Sequence, residues 1–298
     1  MTPRIDILCI GSVLWDVIGR SPAHMRQGSD VPGRITRLPG GVALNIAMTL
    51  ARFGMRPVLL SAVGRDPEGE ELVAACAGLG LGVGHLYRSD DLPTDRYMAV
   101  EGANGLIAAI ADAHSLEAAG EKILAPLRDG TLGQDDAPFE GRIVVDGNLT
   151  WALLDEIATA PAFARADLRV APASPGKAER LLPFLNHARG TLYVNLEEAG
   201  ILCQTTFTGS AEAAAALIAR GARRVLVTDG GRTTTEAGAD ADPVTAMPPE
   251  VMVTRVTGAG DTFMAAHIAA EARGADRAGA LSQALEAAAS YVSGVTPL

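Results

Sequence analysis

The 298-residue sequence is poor in cysteine, and its cysteines show no pairing pattern. Only three are present, and their wide spacing fits neither a disulfide framework nor a zinc site. Isolated thiols of this kind are typical of proteins kept in a reducing cytoplasm. We therefore expect a cytoplasmic protein with three buried, free cysteines, which are Cys9, Cys76 and Cys203.

Long apolar runs and clusters of basic residues are also missing. A membrane-spanning helix needs about 20 mostly apolar residues, and the run after Arg4 and Asp6 is too short to provide them. Because that run also lacks a basic leader, we expect a buried first strand there rather than a signal peptide. The formal charge is −10, and no stripe of Lys or Arg could follow a phosphate backbone. Neither a membrane nor a nucleic acid polymer is an expected partner.

Short apolar runs are plentiful, and helical patterns lie between them. Each run ends in Gly, Asn, Asp or Ser, as expected for strands buried on both faces of a parallel sheet. The stretches 45–54, 68–80 and 210–221 have amphipathic spacing and close with Gly. This alternation predicts an α/β fold with a doubly wound, mostly parallel sheet flanked by helices. The predicted strands cover residues 5–11, 57–64, 142–148, 168–174, 191–195 and 223–231.

Two segments, at about 12–38 and 94–112, interrupt the alternation with turn residues and no long helix. Two apolar arms flank the Asn104-Gly105 turn, which predicts a β-hairpin. We interpret both segments as a small β-sheet that forms a lid over a cleft in a single domain spanning residues 1–298. The exposed edge of such a lid favours a homodimer formed through two lids.

The best-known nucleotide-binding motifs are absent. The pair Gly176-Lys177 is followed by Ala178, where a Walker loop needs Ser or Thr, and the glycines at 78–84 lack dinucleotide-binding spacing. The sequence therefore supports neither a P-loop enzyme nor a dinucleotide dehydrogenase.

A different glycine-rich turn is present in "TGAGDTF", residues 257–263. Gly258, Ala259 and Gly260 precede a helical pattern, so their N–H groups and the positive end of the helix can form an anion site. Asp261 at that site could accept a proton from an alcohol that attacks a phosphate. The alternative is an acid that only complements the helix dipole, and the turn alone does not separate the two interpretations.

A second cluster of polar and glycine residues lies near the first predicted strand. Gly40-Gly41 and Asn45 place bare backbone and an amide at a helix start, where they could bind vicinal hydroxyls of a sugar. Asp16 follows the first strand and could hold the same hydroxyls. The alternatives are a helix cap for Asn45 and a solvated turn for Asp16.

These two clusters carry a resemblance to a known family. The sequence resembles the ribokinase-like (PfkB) carbohydrate and nucleoside kinases over nearly its whole length, with "TGAGDTF" as the carboxy-terminal signature. This implies a ribokinase-like fold and ATP-dependent phosphorylation of an alcohol. The residues that match the amino-terminal signature are Gly40, Gly41, Asn45, Gly54, Gly64, Asp66 and Gly69.

The resemblance also implies roles for individual residues. Asp261 is similar to the catalytic base, and Gly258, Ala259 and Gly260 are similar to the anion hole. Asp16, Gly40, Gly41 and Asn45 fall where the family binds its sugar. For the nucleotide, the resemblance implies Asn195 and Glu198 near Mg²⁺ and the triphosphate, with Glu198 reaching the metal through water, and Thr228 and Gly230 beside ATP. It also places the segment 287–298 beside the adenine.

Within the family, four segments resemble the pseudouridine kinases: 40–54, 97–112, 144–149 and 256–261. The expected reaction is transfer of the γ-phosphate of ATP to the 5′-hydroxyl of pseudouridine. Two alternatives remain open. One is a kinase of a free sugar such as ribose, fructose or 2-keto-3-deoxygluconate, and the other is a catalytically silent protein that binds a sugar or nucleoside.

One position departs from the family pattern. Many members carry an acid six residues before the catalytic aspartate, where it helps to bind a monovalent cation, but here that residue is Arg255. Two cations at close range repel each other. We therefore expect that potassium does not activate the protein and that Arg255 either supplies positive charge near the anion hole or faces solvent.

Overall fold

The computed structural model describes residues 5–28 and 30–294. In these residues the strands are β1 (Ile7–Ile10), β2 (Leu14–Arg20), β3 (Arg34–Gly40), β4 (Pro57–Leu60), β5 (Ala62–Gly64), β6 (Tyr87–Ser89), β7 (Arg96–Gly102), β8 (Gly105–Asp112), β9 (Arg142–Asp146), β10 (Asp167–Ala171), β11 (Gly190–Asn195), β12 (Arg224–Thr228), β13 (Thr234–Gly238) and β14 (Ala241–Ala246). The α-helices are α1 (Val42–Arg52), α2 (Pro67–Gly78), α3 (His114–Ala119), α4 (Trp151–Thr159), α5 (Leu196–Cys203), α6 (Ser210–Ala219), α7 (Ala259–Ala272) and α8 (Arg277–Val292).

The largest sheet has eight strands in the order β14-β13-β12-β11-β10-β9-β1-β4. The six strands from β12 to β4 are parallel, whereas β13 and β14 extend the sheet antiparallel. Helices cover both faces, because alternate side chains of each strand point into two separate cores. Leu8 and Ile10 pack toward α4, α5 and α6, and Ile7 and Cys9 pack toward α1, α7 and α8. The predicted doubly wound α/β fold is confirmed.

A second, four-stranded sheet has the order β3-β2-β7-β8, and we call it the lid sheet. It contains the predicted hairpin, in which Gly102 of β7 pairs with Gly105 of β8. The strands lie within 14–40 and 96–112, so β3 runs two residues beyond the predicted segment. Helix α1 begins at Val42, three residues before the predicted helix, because Gly41 (φ 99°) ends the extended backbone there. A third, two-stranded sheet pairs β5 with β6.

The cysteines match the expectation in part. Cys9 and Cys76 are buried and free, whereas Cys203 is free but only half-buried, since it lies at the last position of α5. Within 5–28 and 30–294, none of the helices combines the length and the apolar character that crossing a membrane requires.

Candidate active site

The predicted sugar-binding residues meet where the lid sheet joins the main sheet. Asp16 lies on β2, opposite Leu38 of β3, and Gly40 follows two residues later. A Cβ atom on Gly40 would lie 2.1 Å from Oδ2 of Asp16, and one on Gly41 would lie 2.5 Å from the Ser12 carbonyl oxygen. Only glycine fits at either position. Burial raises the pKa of Asp16 to about 6.

Asn45 and Asp261, 216 residues apart in sequence, are in direct contact. The Asn45 amide Nδ2 donates a hydrogen bond of 3.1 Å to Oδ2 of Asp261. Asn45 lies in the first turn of α1 and Asp261 in the first turn of α7, and these two helices pack against each other. Asn45, which is predicted to bind the sugar, and Asp261, which is predicted to be the catalytic base, therefore lie side by side.

The pKa of Asp261 is raised to about 7. Burial is the main cause; the hydrogen bond from Asn45 opposes it, and the negative charges of Asp146 and Asp16 add to it. A carboxyl group with a pKa near neutral pH is suited to accept a proton and release it again.

Asp146, at the end of β9, was missed by the sequence analysis. It is fully buried and accepts hydrogen bonds from the N–H groups of Ser12 and Ala43, each at 2.8 Å, and from the Ser12 hydroxyl. These bonds join the segment after β1 to α1 and β9, close enough to Asp261 for the charge of Asp146 to act on it. The only available signal was an acid that ends an apolar strand, "RIVVD", and that signal is common in α/β proteins.

Two further polar residues extend this network. Asn148 donates through Nδ2 to the Ser12 hydroxyl (2.9 Å), and its Oδ1 accepts a hydrogen bond from the ammonium group of Lys177. Burial lowers the pKa of Lys177. The result is an amide and an ammonium group side by side, linked through Ser12 to Asp146 and to the start of α1.

The predicted anion hole lies at the start of α7. Gly258 caps the helix with φ 88°, and the Ala259 N–H donates to the Val256 carbonyl oxygen at 3.1 Å. In the described part of the chain, the N–H groups of Gly260 and Asp261 have no acceptor. These two groups, rather than that of Ala259, are therefore free to bind an anion at the helix N-terminus.

A cavity of about 950 Å³ opens on the other side of this turn. It is lined by Ala259, Gly260 and Asp261 and by all four residues predicted to bind the nucleotide: Asn195, Glu198, Thr228 and Gly230. Asn195 and Glu198 form a reciprocal cap of α5, in which Asn195 Oδ1 accepts from the Glu198 N–H and Glu198 Oε2 accepts from the Asn195 N–H. The other carboxylate oxygen of Glu198 is not part of this cap. Gly230, at φ 56°, turns the chain after β12.

Arg255 lies outside this cavity, against the C-terminal helix. Its Nε donates to the Tyr291 carbonyl oxygen at 2.8 Å, and its guanidinium group lies 3.9 Å from the centre of the Tyr291 ring. The Tyr291 hydroxyl in turn donates to the Thr257 carbonyl oxygen. Residues 295–298 of the segment predicted to border the adenine lie outside the described residues.

This geometry places a carboxylate of raised pKa on the wall of a cavity of about 950 Å³ and in contact with Asn45, as expected of a phosphoryl-transfer enzyme. A model of the pfkB family carbohydrate kinases matches residues 4–295, and the chain belongs to this family. It is a kinase, a phosphotransferase that uses a hydroxyl group as acceptor.

Individual relatives agree with this assignment. A pseudouridine kinase from Escherichia coli (strain K12) is 31% identical over 274 residues, covering 89% of this chain and 83% of that protein. A carbohydrate kinase from Agrobacterium tumefaciens is 26% identical, with a TM-score of 0.78 over 96% of this chain and 90% of that one. An Arabidopsis thaliana ribokinase solved with ribose and ATP has the same fold, with a TM-score of 0.78 at 19% identity over 97% of this chain and 92% of that one.

Proposed function

We propose that the protein transfers the γ-phosphate of ATP to the 5′-hydroxyl of pseudouridine. The contact between Asn45 and Asp261 carries this proposal, because it joins the residues predicted to bind the sugar to the large cavity at one carboxylate. In this arrangement Asp16, Gly40, Gly41 and Asn45 orient the sugar, and the 5′-hydroxyl points at Asp261.

Catalysis follows from alignment and charge stabilisation. Asp261 accepts the proton of the attacking hydroxyl. The free N–H groups of Gly260 and Asp261 and the N-terminus of α7 bind the phosphoryl oxygens as negative charge develops on them. Closure of the lid sheet excludes water, which would otherwise compete with the sugar as acceptor.

ATP occupies the large cavity, with Asn195, Thr228 and Gly230 beside its phosphates. Its Mg²⁺ neutralises charge on those phosphates when bound. The described residues contain no group of three or more acidic, His or Cys side chains that could hold a metal. Phosphate and water would supply most of the ligands of this ion, with the uncapped oxygen of Glu198 as a partner through water.

The choice of pseudouridine depends on the relative named above and on the pair of Asn148 and Lys177. The uracil ring of a C-nucleoside carries two carbonyl oxygens and two N–H groups, whereas a free sugar has no such ring. The Lys177 ammonium can donate to a carbonyl oxygen, and the Asn148 amide can pair with ring N–H and C=O groups. A kinase of ribose or fructose, the main alternative, would not need this pair.

ADP release with Mg-ATP, measured across pseudouridine, uridine, ribose, fructose and 2-keto-3-deoxygluconate, tests the proposal. We expect turnover confined to pseudouridine, with Lys177→Met raising KM for the nucleoside while KM for ATP stays constant. Turnover on a free sugar, equally fast in Lys177→Met, would keep the kinase and reject the nucleoside. Binding of pseudouridine without ADP release would instead support a silent binding protein.

We also propose a homodimer formed through the lid sheet. Ile35, Met98 and Ile110 project from one face of that sheet and are 77%, 48% and 67% exposed. The opposite face carries Asp16, so pairing of two lids would leave the pocket accessible. Sedimentation velocity of the wild type and of Ile110→Lys should show a dimer and a monomer; a monomeric wild type would reject the dimer.

The free cysteines support a cytoplasmic location.

A further inference from the structure

The first turns of α2 contact β2 and β3 of the lid sheet and the residues that lead into β7, and the proposed function does not account for these contacts. Asp66 caps α2 and accepts from the Gly69 N–H at 2.7 Å. The same carboxylate accepts from the Thr94 N–H at 2.7 Å and from the Thr94 hydroxyl at 2.5 Å. Thr94 lies two residues before β7, so one carboxylate joins the helix to the entrance of the lid sheet.

Two signature glycines make this contact possible. A Cβ atom on Gly64 would lie 2.8 Å from the Thr94 nitrogen, and one on Gly69 would lie 2.6 Å from the Thr94 hydroxyl oxygen. Any larger residue at either position would push Thr94 away from Asp66. The hydrogen bonds from Thr94 and Gly69 outweigh burial and lower the pKa of Asp66, so the carboxylate is charged at neutral pH.

The next residues of α2 hold the other two strands. The indole N–H of Trp15, on β2, donates to the Glu68 carbonyl oxygen at 2.9 Å, and Trp15 is only 8% exposed. Arg37, on β3, lies with its guanidinium group 4.3 Å from the Trp15 ring centre and forms an ion pair with Glu71. Because Trp15 directly precedes Asp16, these contacts fix the strand that carries the predicted sugar-binding carboxylate.

The exit from the lid sheet is tied to the same point. Asp95 is 3% exposed, and its carboxylate accepts from the N–H groups of Ser115 and Leu116, which follow β8, at 3.0 and 2.9 Å. The backbone carbonyl oxygen of Asp95 also accepts a hydrogen bond of 3.2 Å from the backbone N–H of Trp15. The segments before β7 and after β8, together with β2, are therefore all bonded to the residues Asp66, Thr94 and Asp95.

We propose that the first turn of α2 anchors the lid sheet to the main domain. In this proposal Asp66 and Trp15 are positioning residues that hold Asp16 beside the acceptor. The assignment rests on the proposed kinase function for its effect on catalysis, but not for its effect on the lid. Asp66→Asn separates the two jobs of this carboxylate. An amide oxygen can still accept from the Gly69 N–H, but the amide NH₂ cannot accept from the Thr94 N–H.

The chain supplies a matched control. Asp276 caps α8 in the same way, accepting from the Gly279 N–H at 2.8 Å, and it is remote from the lid sheet. Amide hydrogen exchange of residues 14–20 and 96–102 is the primary readout, since it needs no substrate. We expect about tenfold faster exchange there in Asp66→Asn and wild-type exchange in Asp276→Asn. Wild-type exchange of the lid in Asp66→Asn, or equal acceleration in both variants, would overturn the proposal.

Kinetics provide the second readout. Asp66→Asn, and also Trp15→Phe, which keeps a ring but loses the indole N–H, should raise KM for the acceptor about tenfold and increase ATP hydrolysis without transfer, while KM for ATP changes less than about twofold. An equal rise in both KM values would contradict a positioning role. If the wild type phosphorylates none of the candidate acceptors, the proposed function fails, whereas the hydrogen-exchange experiment still tests whether α2 anchors the lid sheet.

Discussion

Glu236 and Asp261 are two carboxylates in packed surroundings of the same molecule, and their pKa values are shifted in opposite directions. Glu236 is fully buried, and burial alone would raise its pKa. The nearby His267 and the hydrogen-bonded, positively charged Arg224 and Arg277 outweigh that effect and lower the pKa to about 2. Asp261 has an amide, Asn45, as its side-chain partner and two acids as charged neighbours, and its pKa is raised to about 7.

The surroundings of Glu236 form an ionic cluster. Its Oε1 accepts from Arg224 Nη2 at 2.7 Å and from Arg277 Nε at 2.5 Å, and its Oε2 lies 3.5 Å from His267 Nε2. The Nδ1 atom of His267 contacts the Tyr193 hydroxyl at 2.9 Å. His267 is therefore a packed residue of this cluster.

The comparison shows where the fold compensates charge and where it does not. Glu236 joins strands and helices and is matched by cations, whereas Asp146 is held by N–H and hydroxyl groups and Asp261 by an amide, with the negative charge of Asp16 nearby. Uncompensated carboxylates cost stability, but they keep a proton-accepting group near neutral pH. We therefore expect mutations at the two acids to affect different properties.

The largest expected effect is on rate. Asp261→Asn should lower kcat about 1,000-fold, equivalent to about 4 kcal/mol, because the hydroxyl loses its proton acceptor. The melting temperature should not fall, since a neutral amide removes repulsion from Asp16 and Asp146. Single-turnover kinetics and thermal denaturation check both parts. A variant that keeps more than a tenth of the activity would rule out Asp261 as the base.

Glu236→Ala should show the opposite behaviour. Removing this acid leaves two arginines without their shared partner, which should lower the free energy of unfolding by about 3–5 kcal/mol. Folded enzyme at low temperature should retain kcat, since Glu236 does not line the cavity. Urea denaturation measures the loss, with the exposed Glu286→Ala as control. Loss of less than about 1 kcal/mol would contradict the assigned role of the ionic cluster.

The pH dependence separates the two acids further. A lowered pKa means that the contribution of Glu236 is complete above its unfolded pKa of 4.5 and is lost as the pH falls toward about 2. For Asp261, stability falls as the pH rises from about 4 to about 7, while kcat/KM rises and levels off above about 7. In Asp261→Asn, the fall in the free energy of unfolding between about pH 4 and about pH 7 should be smaller than in the wild type by at least about 1 kcal/mol. A wild-type kcat/KM that is constant between pH 5 and 8, roughly spanning this pKa, would contradict the prediction.

The smallest expected effect concerns potassium. Arg255 lies on Tyr291, at the position where many relatives carry a cation-binding acid, so potassium should change kcat by less than about twofold at constant ionic strength. Arg255→Glu is the matched variant and should gain sensitivity to potassium. A several-fold activation of the wild type would show that the guanidinium group does not exclude a cation.

The sequence predicted the parallel core of the fold well, because strands buried on both faces leave continuous apolar runs. It did not predict β13 and β14, where the segment "TTEAGADADPVTA" mixes acids with small residues. Glu236 explains this failure. An acid within a short run argues against a buried strand, and only the arginines supplied by β12 and α8 make its burial tolerable.

In the site, too, residues with a local sequence pattern were predicted, and residues that depend on distant partners were not. The glycines and Asp261 are recognisable because tight turns and helix starts restrict which residues fit. Asp146 and the pair of Asn148 and Lys177 were not predicted, since their partners come from β1, α1 and the segment 175–186. No local pattern encodes such contacts.

The hydrogen bond between Asn45 and Asp261 also has a consequence for folding kinetics. It closes a loop of 216 residues, and most of the main sheet lies inside that loop. Long-range closures of this kind form late, after local helices and neighbouring strands have paired. A refolding chain should therefore regain its helical circular dichroism before it regains any activity, because the catalytic geometry is among the last features to assemble.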